Sequence, residues 1–106
     1  MDTAADLFRT LSDNTRRGLF ERLAREGELS VGALVAQAGV SQPAVSQHLK
    51  ALRGVGLVAE ARHGRNILYS ARPEGLAPLI DWMSFYSQFW NDRFDNLEKL
   101  LREMDQ

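Results

Sequence analysis

The chain has 106 residues, enough for one small domain with a modest core, and its 44% hydrophobic and 25% charged residues are an ordinary globular balance that argues against disorder. It has no cysteine, which excludes disulfides, thiolate metal sites and cysteine nucleophiles. The formal net charge of −1 says little about partners, no apolar run nears the roughly 18 residues of a membrane span, and with no basic-then-apolar leader after Met1 the expected compartment is the cytoplasm.

In chain order, Leu7, Phe8 and Leu11 recur at helical spacing over residues 3–11. Ser12 or Asp13 can cap a second helix over 14–26, with Leu19, Phe20 and Leu23 inward and Gly27 as its stop. Ser30 can cap a third, whose apolar positions are Val31, Leu34, Val35 and Ala38, and Gly39 stands where a left-handed residue would end it. Only Val40 then precedes Ser41, which can cap a fourth helix over 41–53, with Pro43 tolerated in its first turn. Helix, glycine turn, helix is a helix-turn-helix arrangement. Gly54 and Gly56 end the fourth helix. Residues 57–62 and 66–70 read as two strands joined across His63-Gly64-Arg65, a β-hairpin. Pro73 breaks the second strand, and one long helix is predicted over residues 75–103. The expected fold is mainly α with a two-stranded β-hairpin: five helices in the order ααααββα, one domain over residues 1–106.

The fourth helix carries the informative pattern. Val45, Leu49 and Leu52 share one stripe and can face the core. The remainder presents Gln42, Ala44, Ser46, Gln47, His48 and Lys50, with Arg53 at the end. A solvated helix face usually carries Glu and Lys pairs four apart, and this one does not. Amides, hydroxyls and a small apolar group suit base edges in a DNA major groove, and Lys suits guanine or phosphate. The same face also reads as plain polar surface. Arg62, His63, Arg65 and Asn66 gather around Gly64 at the hairpin tip, where two arginines can span a phosphate backbone and reach a minor groove. Residues 41–66 hold four basic residues against Glu60, a net +3, whereas residues 74–106 hold three basic against seven acidic, a net −4. Helix, turn, helix and basic hairpin in succession point to double-stranded DNA more strongly than any part alone, with Arg16 joining the expected phosphate contacts.

The run SVGALVAQAGVSQPAVSQHLKALRGVGLVAEARHGRNILYSA resembles the winged helix-turn-helix of the ArsR/SmtB family of bacterial repressors, and LFRTLSDNTRRGLFERL resembles that family's second-helix region. The resemblance covers nearly the whole chain. It implies a homodimer that binds an inverted-repeat operator and blocks transcription, with Ser41 to Arg53 as recognition helix and Arg62 to Asn66 as wing tip. One position departs: Asn14 stands where proline is common. The name-giving members sense metals through cysteines at positions matching Ser30 and Gly32, or through Asp, His and Glu on the last helix. Here neither Ser30 nor Gly32 supplies a thiolate, and no histidine follows His63. The carboxylates of Asp92, Asp95 and Glu98 would make at best a weak hard-cation site. No metal site and no cofactor are expected. His48 and His63 lack any carboxylate or cysteine at recognisable spacing, and they read as DNA contacts or partly buried polar groups. No nucleophile motif, phosphate loop or glycine fingerprint occurs, so the chain is not read as an enzyme.

Aromatics crowd the final helix: Trp82, Phe85, Tyr86, Phe89, Trp90 and Phe94, followed by Leu97. The band is too wide for one small core, and exposed it would exceed the apolar patch a monomer tolerates. With Leu7, Phe8 and Leu11 it is expected to form a two-fold dimer interface. The alternative is a pocket for an apolar effector of unknown identity. In a second reading of the whole chain, the winged helix binds protein rather than DNA.

Overall fold

The computed structural model describes residues 3–104, with the side chains of residues 90–94 outside that description. Helix α1 (Thr3–Leu11) leads to Asp13, whose carboxylate accepts from the Arg16 backbone N–H and starts α2 (Asn14–Glu26). Ser30 does the same for α3 (Val31–Ala38) through the Ala33 N–H, and Ser41 for α4 (Gln42–Gly54) through the Ala44 N–H. Gly39, at φ +70°, ends α3 in the left-handed region that a side chain disfavours. The turn between α3 and α4 is therefore three residues long, and α4 crosses α3 at once.

Strands β2 (Val58–His63) and β3 (Asn66–Ala71) pair antiparallel with His63 opposite Asn66, and Gly64 (φ +65°) and Arg65 form the tip. The sheet has three strands rather than two. Leu29 and Ser30 form β1, which pairs with Tyr69 and Leu68 of β3, giving the order β1-β3-β2. Two residues show no alternation, so β1 left no periodic signal; it forms because the chain must pass β3 to reach the cap of α3.

One core holds these pieces together. Leu7 of α1, Leu19, Phe20 and Leu23 of α2, Leu34 of α3, and Val45, Leu49 and Leu52 of α4 meet Leu57 and Val58. Each of the large aliphatic side chains fully enclosed there costs about 2–5 kcal/mol to truncate to alanine. Arg22 adds a polar tie: its guanidinium donates to the Ala33 and Leu34 carbonyls of α3 and pairs with Glu26 at 2.8 Å. Leu7, expected at a subunit interface, lies wholly inside this core and has no surface left to offer.

The long C-terminal helix expected over residues 75–103 is interrupted. A 3₁₀ turn (Pro73–Leu76) precedes α5 (Ala77–Ser84), and α6 (Ser87–Met104) follows after Phe85 and Tyr86. At the break, Tyr86 and Phe89 donate to carbonyls three residues back, Met83 and Tyr86. The Ser84 hydroxyl donates to the Asp81 carbonyl, competing for the acceptors a continuous helix needs. There are thus six α-helices, not five, plus one 3₁₀ turn among the described residues. α5 packs on α1, where Trp82 meets Phe8 edge-on with centroids 5.2 Å apart. Among the described residues α6 shows no comparable packing, and it leaves the body as an arm. The radius of gyration is 18.0 Å, against about 13 Å for a compact chain of this length.

Candidate nucleic-acid interface

The cap and the buried stripe of α4 fix which side chains face outward. Val45, Leu49 and Leu52 are fully buried, which turns Gln42, Ser46, Gln47, Lys50 and Arg53 to solvent and leaves Ala44 and His48 partly covered. Every residue from Arg62 to Asn66 at the hairpin tip is exposed. The first turn of α4, the start of α3 and the hairpin border one open groove of about 390 Å³, lined by Ser30, Val31, Gly32, Gln42, Arg65, Asn66 and Ile67. Two helix N-termini and one guanidinium thus share a concave surface, where unsatisfied N–H groups and a positive charge favour an anion.

The basic side chains divide into two kinds. Lys50, Arg62 and Arg65 form no ion pair among the described residues. Arg53, grouped with them on sequence grounds, is tied back at 2.7 Å to Glu60 of β2, which also accepts from the Tyr69 hydroxyl at 3.1 Å. Burial, and then the Glu60 carboxylate, push the Tyr69 phenol above its ordinary value. His63 stands 4.0 Å from Glu28. His48 is mostly enclosed: the Arg16 Nε–H donates to its Nδ1 at 3.2 Å, and its Nε2 lies 4.0 Å from the Asp13 carboxylate. These three ties bring Glu60, Glu28 and Asp13 beside the expected contacts; the sequence offered Asp13 only as a helix cap and Glu60 only in the charge balance, with no sign of Glu28.

Residues 11–61 match a helix-turn-helix domain family. The HTH-type transcriptional regulator Rv2034 of Mycobacterium tuberculosis is 39% identical over 94 residues, 89% of this chain and 84% of the relative. An ArsR-like transcriptional regulator from Rhodococcus sp. RHA1 superposes with a TM-score of 0.72 at 30% identity, over 92% of both chains.

The chain belongs to the ArsR family of winged helix-turn-helix transcriptional regulators. Other relatives of this ArsR-family regulator include the transcriptional repressor SdpR of Bacillus subtilis, 31% identical over 82% of this chain and 97% of its own. A homodimeric winged helix-turn-helix DNA-binding domain from Mycobacterium bovis matches with a TM-score of 0.65 at 28% identity, over 82% of this chain and 80% of that one. In family terms, β2 and β3 are the wing and α4 is the second helix of the helix-turn-helix. At the start of α3, Ser30 serves as helix cap and Gly32 has no side chain to offer a metal. Among the described residues no three His, Cys, Asp or Glu side chains gather as a metal site, and no helix is long and apolar enough to cross a membrane. Trp90 and Phe94, expected at the dimer interface, fall outside the described side chains. Phe8, Trp82, Phe85, Tyr86, Phe89 and Leu97 are all exposed on the protomer, and Leu11 is partly buried against the core.

Proposed function

We propose that this ArsR-family regulator is a dimeric repressor that binds an inverted-repeat operator, with α4 in the major groove and the wing across the flanking phosphates. One observation carries this reading: an amide- and hydroxyl-bearing helix face is accompanied by three basic side chains, Lys50, Arg62 and Arg65, that form no ion pair among the described residues. Gln42, Ala44, Ser46 and Gln47 are the base readers. The groove between α3, α4 and the wing suits the phosphate strand that runs between the two grooves. A bound dimer represses by occupying promoter sequence.

The dimer follows from what the protomer fails to bury. Phe8, Ile80, Trp82, Met83, Phe85, Tyr86 and Phe89 are exposed on α1, α5, α6 and the break between α5 and α6, and Leu97, Leu100, Leu101 and Met104 are exposed farther along α6. So large an apolar surface is characteristic of an interface. The homodimeric Mycobacterium bovis neighbour supports a second copy of this chain as its occupant. A two-fold axis through these helices would set the paired α4 helices about 34 Å apart, one turn of DNA.

Fluorescence anisotropy on a duplex from the gene's own upstream region, against a mixed-sequence duplex, tests the reading. The upstream duplex should bind roughly a thousandfold or more tighter. Gln47→Ala should weaken it by about 1–3 kcal/mol and leave the mixed duplex unchanged. Equal affinity for both duplexes in the wild type overturns the proposal.

A further inference from the structure

His48 sits on the recognition helix, yet its imidazole is turned inward, with only 17% of the side chain exposed. What it touches is Arg16, 32 residues earlier, at the first turn of α2. His48 Nδ1 accepts the Arg16 Nε–H at 3.2 Å, and its Nε2 lies 4.0 Å from the Asp13 carboxylate, beyond hydrogen-bond reach. Asp13 is itself fixed, since its carboxylate accepts the Arg16 backbone N–H as the cap of α2. The Arg16–His48 bond therefore clasps the start of α2 to the middle of α4, with Asp13 alongside.

The clasp leaves a defined part of Arg16 free. Guanidinium has five N–H donors, and the contact to His48 uses only the one on Nε. The two terminal nitrogens keep four, with no acceptor for them among the described residues. A guanidinium held at Nε and open at both terminal nitrogens is pre-organised for a phosphate, because the side-chain freedom it would otherwise lose on binding has been lost already. Of the three other arginines of α2, Arg25 has no anchor of this kind among the described residues, and two are engaged elsewhere. Arg17 donates to Leu11 and Asn14, and Arg22 is engaged with α3 and Glu26.

We infer that His48 is a positioning residue, not a base reader: its Nδ1 anchors Arg16 at the edge of the recognition helix, so that Arg16 meets a backbone phosphate beside the groove that α4 enters. The inference rests on the DNA-binding reading above and adds a role for a side chain that the polar face of α4 suggests as a DNA contact or a partly buried polar group.

Salt dependence of binding to a fluorescein-labelled mixed-sequence duplex tests it, since a phosphate contact is sequence-independent and needs no known operator. Arg16→Ala should flatten the slope of log K against log salt by about 0.9 per protomer. His48→Ala should flatten it as much, and the double variant no further. His48→Asn should restore the wild-type slope, because the Asn Oδ1 stands near where Nδ1 stood and accepts from Arg16. His48→Gln, whose carbonyl reaches past that point, should not. If His48→Ala fails to fold, the comparison of His48→Asn with His48→Gln carries the test alone. Additive losses in the double variant, or Asn and Gln behaving alike, overturn the clasp. A wild-type protein that shows no salt-dependent binding to any duplex overturns the DNA-binding reading instead.

Discussion

Gly75 lies against the backbone of Gly56 so closely that a Cβ at position 75 would collide with the Gly56 carbonyl and come within 3.2 Å of the Leu57 side chain. This contact fastens the 3₁₀ turn that leads into α5 to the turn that leaves α4. Arg72 reinforces it by donating its backbone N–H to the Leu57 carbonyl at 2.7 Å. The helix-turn-helix and the C-terminal helices are joined here, backbone to backbone.

Gly75→Ala should therefore destabilise the protein by about 1–3 kcal/mol, because the obstacle is a carbonyl that cannot rotate away as a side chain can. Gly18→Ala is the matched control. Gly18 lies inside α2 with nothing within 4 Å of a new Cβ, so alanine there should stabilise by about 0.5–1 kcal/mol through helix propensity. Urea unfolding of the two variants beside the wild type should give midpoint shifts of opposite sign. A neutral Gly75→Ala would mean that the turn relaxes and the contact is incidental.

Arg65, at the wing tip, and Arg53, at the end of α4, should separate in a salt titration although both are arginines expected at phosphates. Arg65→Ala removes an unpaired wing charge and should flatten the salt slope by about 0.9 per protomer. Arg53→Ala should change it little, because Glu60 already holds that guanidinium at 2.7 Å. Glu60→Gln releases Arg53 and should tighten binding to mixed-sequence DNA. Equal slopes for the Arg65 and Arg53 variants would show that the Glu60 pair opens on DNA.

The division between what the sequence disclosed and what it did not follows physical range. Caps, the glycine turn and the inward stripe of α4 act within four residues, so Ser30, Gly39, Ser41, Val45, Leu49 and Leu52 were legible. The hairpin register was not legible: the strand pattern assigns His63 to the turn, whereas it pairs with Asn66, and that two-residue tip sets Glu60 opposite Tyr69. β1 was hidden because two residues have no period. Leu7 and Phe8 looked alike as candidate interface residues, but the docking of α1 on α2 buries Leu7 completely and leaves Phe8 47% exposed. The break at Phe85 and Tyr86 carries no glycine or proline to signal it; Ser84 bonds back to Asp81 just before it.

Asp13 offers a test by pH. The Arg16 backbone N–H, aided by the nearby His48 and Arg16 charges, holds its carboxyl below the ordinary carboxylate range. A group whose folded value is depressed adds stability that is complete above its unfolded value and is lost as pH falls through the folded one. The wild type should thus lose stability between about pH 4 and the more acid folded value. Asp13→Asn, whose amide oxygen still caps α2 but does not titrate, should lose less over the same range. Parallel urea midpoints for the two proteins from neutral to acid pH would remove Asp13 from the acid transition.

Phe89→Glu places the dimer at risk without touching the core. Phe89 is 59% exposed on the protomer, so a carboxylate there remains solvated in the monomer and costs little folding free energy. In a two-fold interface the same change appears on both subunits and buries like charges facing an apolar partner. Sedimentation equilibrium should give twice the chain mass for the wild type and the single-chain mass of 11.9 kDa for the variant. Thermal unfolding should depend on protein concentration in the wild type and lose that dependence in the variant. Affinity for the upstream duplex should fall with it, since one α4 helix then engages where two did. A wild type already at single-chain mass would leave α6 and its apolar residues without the second copy assigned to them, and the paired-helix geometry on DNA would fall with it.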